Sequence, residues 1–117
     1  MRLSRAALVA FFTFTGTMHF LRPRFFEAIV PPAIEAQKKE VVAFSGAAEL
    51  AGAVMVLHPA SRRPGRWWLL ALLVAVFPAN IHMALHPERF PKIPAAALWA
   101  RLPLQGIFGL LTWRGTR

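Results

Sequence analysis

Four long apolar runs, Ala6 to Leu21, Val41 to Leu57, Trp67 to Leu85 and Ala95 to Trp113, restrict what this chain can fold into. Each is close to the ~17–25 residues that carry a helix across ~30 Å of hydrocarbon. A soluble helical bundle would need a polar stripe at helical spacing along every helix, and no run has one. The chain is 56% hydrophobic and 16% charged over 117 residues, too apolar for an ordinary soluble core of that size. The expectation is an all-α single domain spanning residues 1–117: a four-helix transmembrane bundle, with the lipid bilayer as its first partner.

Arg2 and Arg5 followed by Ala6 to Phe14 have the basic and apolar parts of a signal peptide. No Ala-x-Ala-like cleavage site follows, so the run reads as a retained first span. The absence of cysteine excludes disulfides, thiolate metal sites and thiol redox chemistry within the chain. A formal charge of +9 would suggest nucleic acid in a soluble protein. Here the arginines cluster in short segments beside the apolar runs, where phospholipid headgroups account for them and no nucleic-acid partner is implied.

An even number of spans puts both termini on one side, together with the connection His58 to Arg66. That side holds Arg2, Arg5, Arg62, Arg63, Arg66, Arg114 and Arg117 with no acid. The other holds Arg22, Arg24, Lys38, Lys39, Arg89 and Lys92 among Glu27, Glu35, Glu40 and Glu88. Counting cations, as the positive-inside rule does, assigns the N- and C-termini to the cytoplasm. Two of the connections are tight and proline-rich. The first, Arg22 to Glu40, is long: Pro23, Pro31 and Pro32 break it, and Pro32 is placed to open a short helix through Glu40. This long, partly helical loop between helices 1 and 2 has two readings, an amphipathic segment lying at the membrane interface or a lid over a cavity in the bundle.

Glu49 and Arg101 stand inside apolar runs, where one charge costs ~2.5–3.5 kcal/mol on insertion scales and therefore marks a bundle-facing site. At 1.5 Å per residue Glu49 lies ~12 Å into its run, Arg101 ~9 Å and Gln105 ~15 Å, all from the side of the long loop. Asn80 lies ~8–9 Å deep from that side, and His19 within ~3–6 Å of its surface. Ser45, Gly46, Glu49, Gly52 and Ala53 share one helical face, as do Arg101, Gln105, Gly109 and Thr112, and as do Phe12, Thr15, Gly16 and His19. Gly46 and Gly52 suit close helix packing. Asn80 and His82 point about 200° apart around their axis, so only one faces the centre. Asn80 is chosen, because Pro78 frees a backbone carbonyl that a nearby donor must satisfy. The predicted centre is thus Glu49 paired with Arg101, with His19, Asn80 and Gln105 around it. It serves either as a structural ion pair or as a binding or relay site. His82 and His86 have the i, i+4 spacing of metal ligands but lack a third, and His19 and His82, at similar depth on different helices, leave haem a minor possibility; neither metal nor haem is the expectation.

These same residues carry a resemblance. The segments Gly16-Thr17-Met18-His19-Phe20, Pro23, Phe26, Ile29-Val30-Pro31, Ser45-Gly46-Ala47-Ala48-Glu49-Leu50, Phe77-Pro78-Ala79-Asn80-Ile81 and Arg101-Leu102-Pro103-Leu104-Gln105 resemble the DoxX-like family of small bacterial membrane proteins. The resemblance implies four transmembrane helices in the bacterial inner membrane and motif positions at His19, Glu49, Asn80, Arg101 and Gln105. It also implies association with quinone-linked oxidoreduction or with complexes that handle oxidative or thiol stress, although a chain without cysteine departs from direct thiol handling. Three functions of different classes follow. One is an accessory oxidoreductase subunit binding a quinone-like carrier, its ring held by residues such as Phe12 and Trp99. The second is transport or proton transfer through Glu49. The third is a non-catalytic membrane assembly partner or homo-oligomer.

Overall fold

A computed structural model describes residues 2–117, and they are helical nearly throughout. Five α-helices follow in order: α1 (Leu3–Leu21), α2 (Pro23–Glu27), α3 (Lys38–Leu57), α4 (Arg62–Leu85) and α5 (Ala95–Gly115). Short 3-10 turns, Pro32–Gln37, Pro59–Ser61 and Pro87–Arg89, lie between them. Each of these turns starts on a proline, whose fixed φ and missing N–H suit a first helical position.

Pro32 does open a helical segment, but the segment ends in α3 and not in a separate helix. Ile34, at φ −124° and ψ 23°, marks the break within it. Counted with their leading turns, Pro32–Leu57 and Pro59–Leu85 are long and apolar enough to cross a membrane. Helices α1 and α5, with 19 and 21 residues, match them in length. Their hydropathy is lowered by Thr13, Thr15, Thr17 and His19 in one and by Arg101 and Gln105 in the other.

The four long helices form a ring in which each packs on two others: α1 on α3 and α5, and α4 on the same pair. Helices α3 and α5 therefore stand diagonally opposite. At the end carrying the termini an apolar core gathers Leu8, Phe12, Ala53, Val56, Leu69 and Leu73. At the other end Ile29 of the first connection packs with Met83, Phe90 and Leu98 in a separate cluster. The faces turned away from the ring are apolar as well: Phe14, Phe44, Val54, Val74, Ile107 and Leu110 are all more than half exposed.

Two devices fix this arrangement. Helices α1 and α3 cross where Gly16 and Gly46 meet; a Cβ added at Gly46 would stand 2.7 Å from His19 Cβ and 3.1 Å from Gly16 O. A Cβ at Gly52 would collide with the Leu69 side chain, so α3 also meets α4 at a glycine. At the basic end, arginines cap helix C-termini. Arg5 Nε donates to Gly115 O at 2.8 Å and its Nη2 to Arg117 O at 3.0 Å. Arg62 Nε donates to Val56 O at 2.9 Å. Cations there meet both the unpaired carbonyls and the negative end of the helix dipole.

Candidate functional site

Between the two apolar clusters lies a cavity of about 690 Å³. Its inner wall is aromatic, with Phe11 stacked on Phe108 at a centroid separation of 4.0 Å and Phe12 beside them. Phe25, Phe26, Ile29, Val30 and Ile34 of the first connection line its other end. The first connection thus supplies one wall of the cavity.

His19, Glu49, Asn80, Arg101 and Gln105 all line the cavity, together with Thr15, Ser45 and Pro78. The structure does not join Glu49 to Arg101. The expected ion pair is replaced by two separate polar groups, because α3 and α5 are diagonal in the ring and each reaches only its neighbours. Glu49 turns to α1: Thr15 Oγ1 donates to Glu49 Oε1 at 2.7 Å. His19 Nδ1 lies 3.1 Å from Glu49 Oε2. That nitrogen also lies 2.6 Å from Thr15 O, an atom that only accepts, so the Nδ1 hydrogen is directed there. The Oε2 approach is then a charge–dipole contact, and Glu49 Oε2 is buried with no hydrogen-bond partner. The His19 ring is held from its other side by Phe26, stacked at 3.8 Å.

The second group crosses from α5 to α4. Arg101 Nε donates to Asn80 Oδ1 at 3.2 Å, and Asn80 Nδ2 donates to Gln105 Oε1 at 2.6 Å. Gln105 Nε2 donates to Leu73 O. Pro78 cannot donate to the carbonyl four residues before it, and its ring crowds that turn of α4. The carbonyl that Pro78 leaves without its helical donor is Val74 O; the side-chain donor in this turn, Gln105 Nε2, goes instead to Leu73 O one residue earlier, and Asn80 donates to Gln105 and not to a freed carbonyl.

Asn80 faces the cavity and His82 does not. The His82 ring lies instead against His86, at 4.5 Å between centroids, with Arg89 Nη1 3.3 Å from its Nε2. His19 and His82 therefore do not share a space, and among the described residues no three His, Asp or Glu side chains are grouped to hold a metal. Phe12 lines the cavity as expected of a ring-holding residue; Trp99 is 52% exposed and lies outside it. Sequence reasoning placed Thr15 on the right face without giving it a role. Its signal was the i, i+4 spacing to His19 on a face that also carries Gly16.

The arrangement offers a small molecule an aromatic slot with an acid and an imidazole on one side and a guanidinium and amides on the other. No curated protein and no solved structure matches the chain. A family model described as a domain of unknown function (DUF8561) matches residues 8–116, nearly the whole sequence, and the chain belongs to that family.

Proposed function

We propose that this is a multi-pass protein of the bacterial inner membrane, its four long helices crossing the bilayer with both termini in the cytoplasm, and that its cavity binds a small, largely apolar carrier with a polar head. The quinone class suits it best, and the chain acts as an accessory subunit of an oxidoreductase or stress-related complex. The apolar outward faces support the membrane setting, since a water-soluble surface does not carry such patches on every side. Ligand pockets commonly occupy ~300–1,000 Å³ and combine apolar walls with a few converging polar groups. The observation that carries the reading is the 690 Å³ cavity itself, aromatic on its inner wall and polar on two opposed sides. The quinone assignment rests further on the resemblance to the DoxX-like family, an associational support.

The test is photolabelling in native membranes with an aryl-azide naphthoquinone. Label is expected in the peptides carrying Phe26 and Phe108, and is expected to disappear in Ser45→Trp and Ala79→Trp, which fill the cavity. Equal labelling of filled and unfilled proteins would overturn the assignment.

A further inference from the structure

Between α4 and α5, on the outer side of the ring, runs a second hollow of about 400 Å³. Leu70, Val74 and Phe77 of α4 form one bank and Leu102, Gly106 and Gly109 of α5 the other, over about two helical turns. Among the described residues nothing fills it: a Cβ built at Gly106 or Gly109 meets no atom within 4 Å, whereas Gly16, Gly46 and Gly52 are each closed on by a neighbouring helix. At three- and four-residue steps the α4 bank continues through Trp67 to Arg63, and the α5 bank continues to Trp113. Those two tryptophans meet edge to face at 5.9 Å, and the Arg66 guanidinium lies over the Trp113 ring at 4.3 Å. The groove therefore runs from bare hydrocarbon through an aromatic pair to cations, the order of surroundings that a bilayer presents from tail to headgroup.

Charge decides what occupies it. The charged residues at this end are all arginines. Arg2, Arg5, Arg62 and Arg66 spend donors on the carbonyls of helix ends, whereas Arg63 and Arg114 are exposed and make no hydrogen bond among the described residues. A second copy inserted in the same orientation would bring an identical cluster of cations beside the first, with no acid to neutralise either. A phosphodiester supplies the missing anion, in the two-oxygen form that a guanidinium binds best. We propose that the α4–α5 groove binds an anionic phospholipid of the leaflet facing the basic end, with one acyl chain against Gly106 and Gly109 and the phosphate beyond the tryptophans at Arg63 and Arg66. Glycine lets the chain lie on the helix backbone, where a side chain would take its place. The site rests on the membrane setting argued above and is independent of what fills the central cavity.

The experiment reads tryptophan quenching in vesicles. A parent protein carrying Trp68→Phe and Trp99→Phe, so that Trp67 and Trp113 alone report, is placed in dibrominated phosphatidylcholine, whose bromines quench nearby indoles, and unbrominated phosphatidylglycerol is titrated in. Phosphatidylglycerol is expected to be favoured at the tryptophans at least about fivefold over its bulk proportion, the factor that one arginine beside a headgroup provides. Gly109→Leu, which fills the groove and leaves every charge in place, is expected to bring that preference below about twofold, and Gly106→Leu serves in its stead should that variant not fold. Arg63→Gln, with the groove intact, is expected to lower the preference about threefold. A preference near one in the parent, or one that survives filling of the groove because it belongs to the arginines alone, overturns the site. Energy transfer between labelled copies that Gly109→Leu abolishes overturns it as well, by making the groove a contact between copies. Release of the chain from the vesicles by alkaline carbonate removes the membrane setting and the lipid site together; a retained chain without preference removes the lipid site alone.

Discussion

The Thr15 hydroxyl donates to Glu49 Oε1 at 2.7 Å, tying α1 to α3 one residue from the point where Gly16 meets Gly46. It is the single hydrogen bond that Glu49 makes among the described residues. Thr15→Val keeps the shape of the side chain and deletes the donor, leaving both carboxylate oxygens without a hydrogen bond. A loss of about 1–3 kcal/mol is expected in reversible unfolding of the detergent-solubilised protein. In a Glu49→Gln background the same substitution should cost less, because a neutral amide is cheaper to leave unpaired. Equal costs in the two backgrounds would mean that the bond does not couple the helices.

Much of this was legible before any coordinates. Depth and helical phase selected five residues, and all five line one cavity, because both depend only on the rise and turn of a helix. Their partners were not legible. Glu49 and Arg101 lie at matching depth, but depth does not reveal which helices are neighbours in a ring, and the diagonal placement of α3 and α5 separates them. The first connection was left with two readings for a related reason. Phe26 and Ile29 suit a membrane-interface segment by composition, and their stacking on His19 and packing on Met83 show where they lie only once the helices are placed. The amide chain from Arg101 through Asn80 to Gln105 was foreseen in its members and not in its order: Asn80 donates to Gln105 Oε1 and not to a carbonyl freed by Pro78, because depth and phase do not show which α5 side chain lies opposite it.

Glycines on the two sides of the molecule should respond in opposite ways. At Gly46 a methyl group would stand 2.7 Å from His19 Cβ and 2.9 Å from a Phe20 ring carbon, so Gly46→Ala has to push α1 and α3 apart. A destabilisation of about 1–3 kcal/mol is expected from such overpacking. At Gly109 nothing lies within 4 Å of the added atom. Gly109→Ala should be neutral or stabilise by up to about 1 kcal/mol through helix propensity. Unfolding of the two variants side by side checks the pair, and a destabilised Gly109→Ala would show that this face of α5 is covered by something outside the chain.

Asn80 is the middle link between Arg101 and Gln105, accepting from one and donating to the other. Asn80→Ala therefore strands two polar groups at once and is expected to cost on the order of 2 kcal/mol or more. Asn80→Asp keeps the acceptor that faces Arg101 and loses only the donor to Gln105 Oε1. Its cost should be the smaller of the two, in spite of the added charge, because the new carboxylate faces a guanidinium. The reverse order would mean that the bond to Gln105 matters more than the one to Arg101.

Arg5 joins the first helix to the last turn of the fifth. Its guanidinium donates to Gly115 O and Arg117 O, and Gly115 packs so closely that an added Cβ would stand 3.2 Å from Arg5 Cα. The last carbonyls of a helix have no partner within it, so removing this cap exposes them and lets the final turn open. In Arg5→Ala, amide hydrogen exchange is expected to quicken over Leu111 to Gly115 and to stay unchanged at Glu49 and Asn80, at the other side of the core formed by Leu8, Phe12 and Leu69. Arg5→Lys should restore only part of the protection, because one ammonium cannot reproduce the fork that reaches two carbonyls. Faster exchange extending to the cavity residues would instead mean that the basic end and the polar centre unfold as one unit.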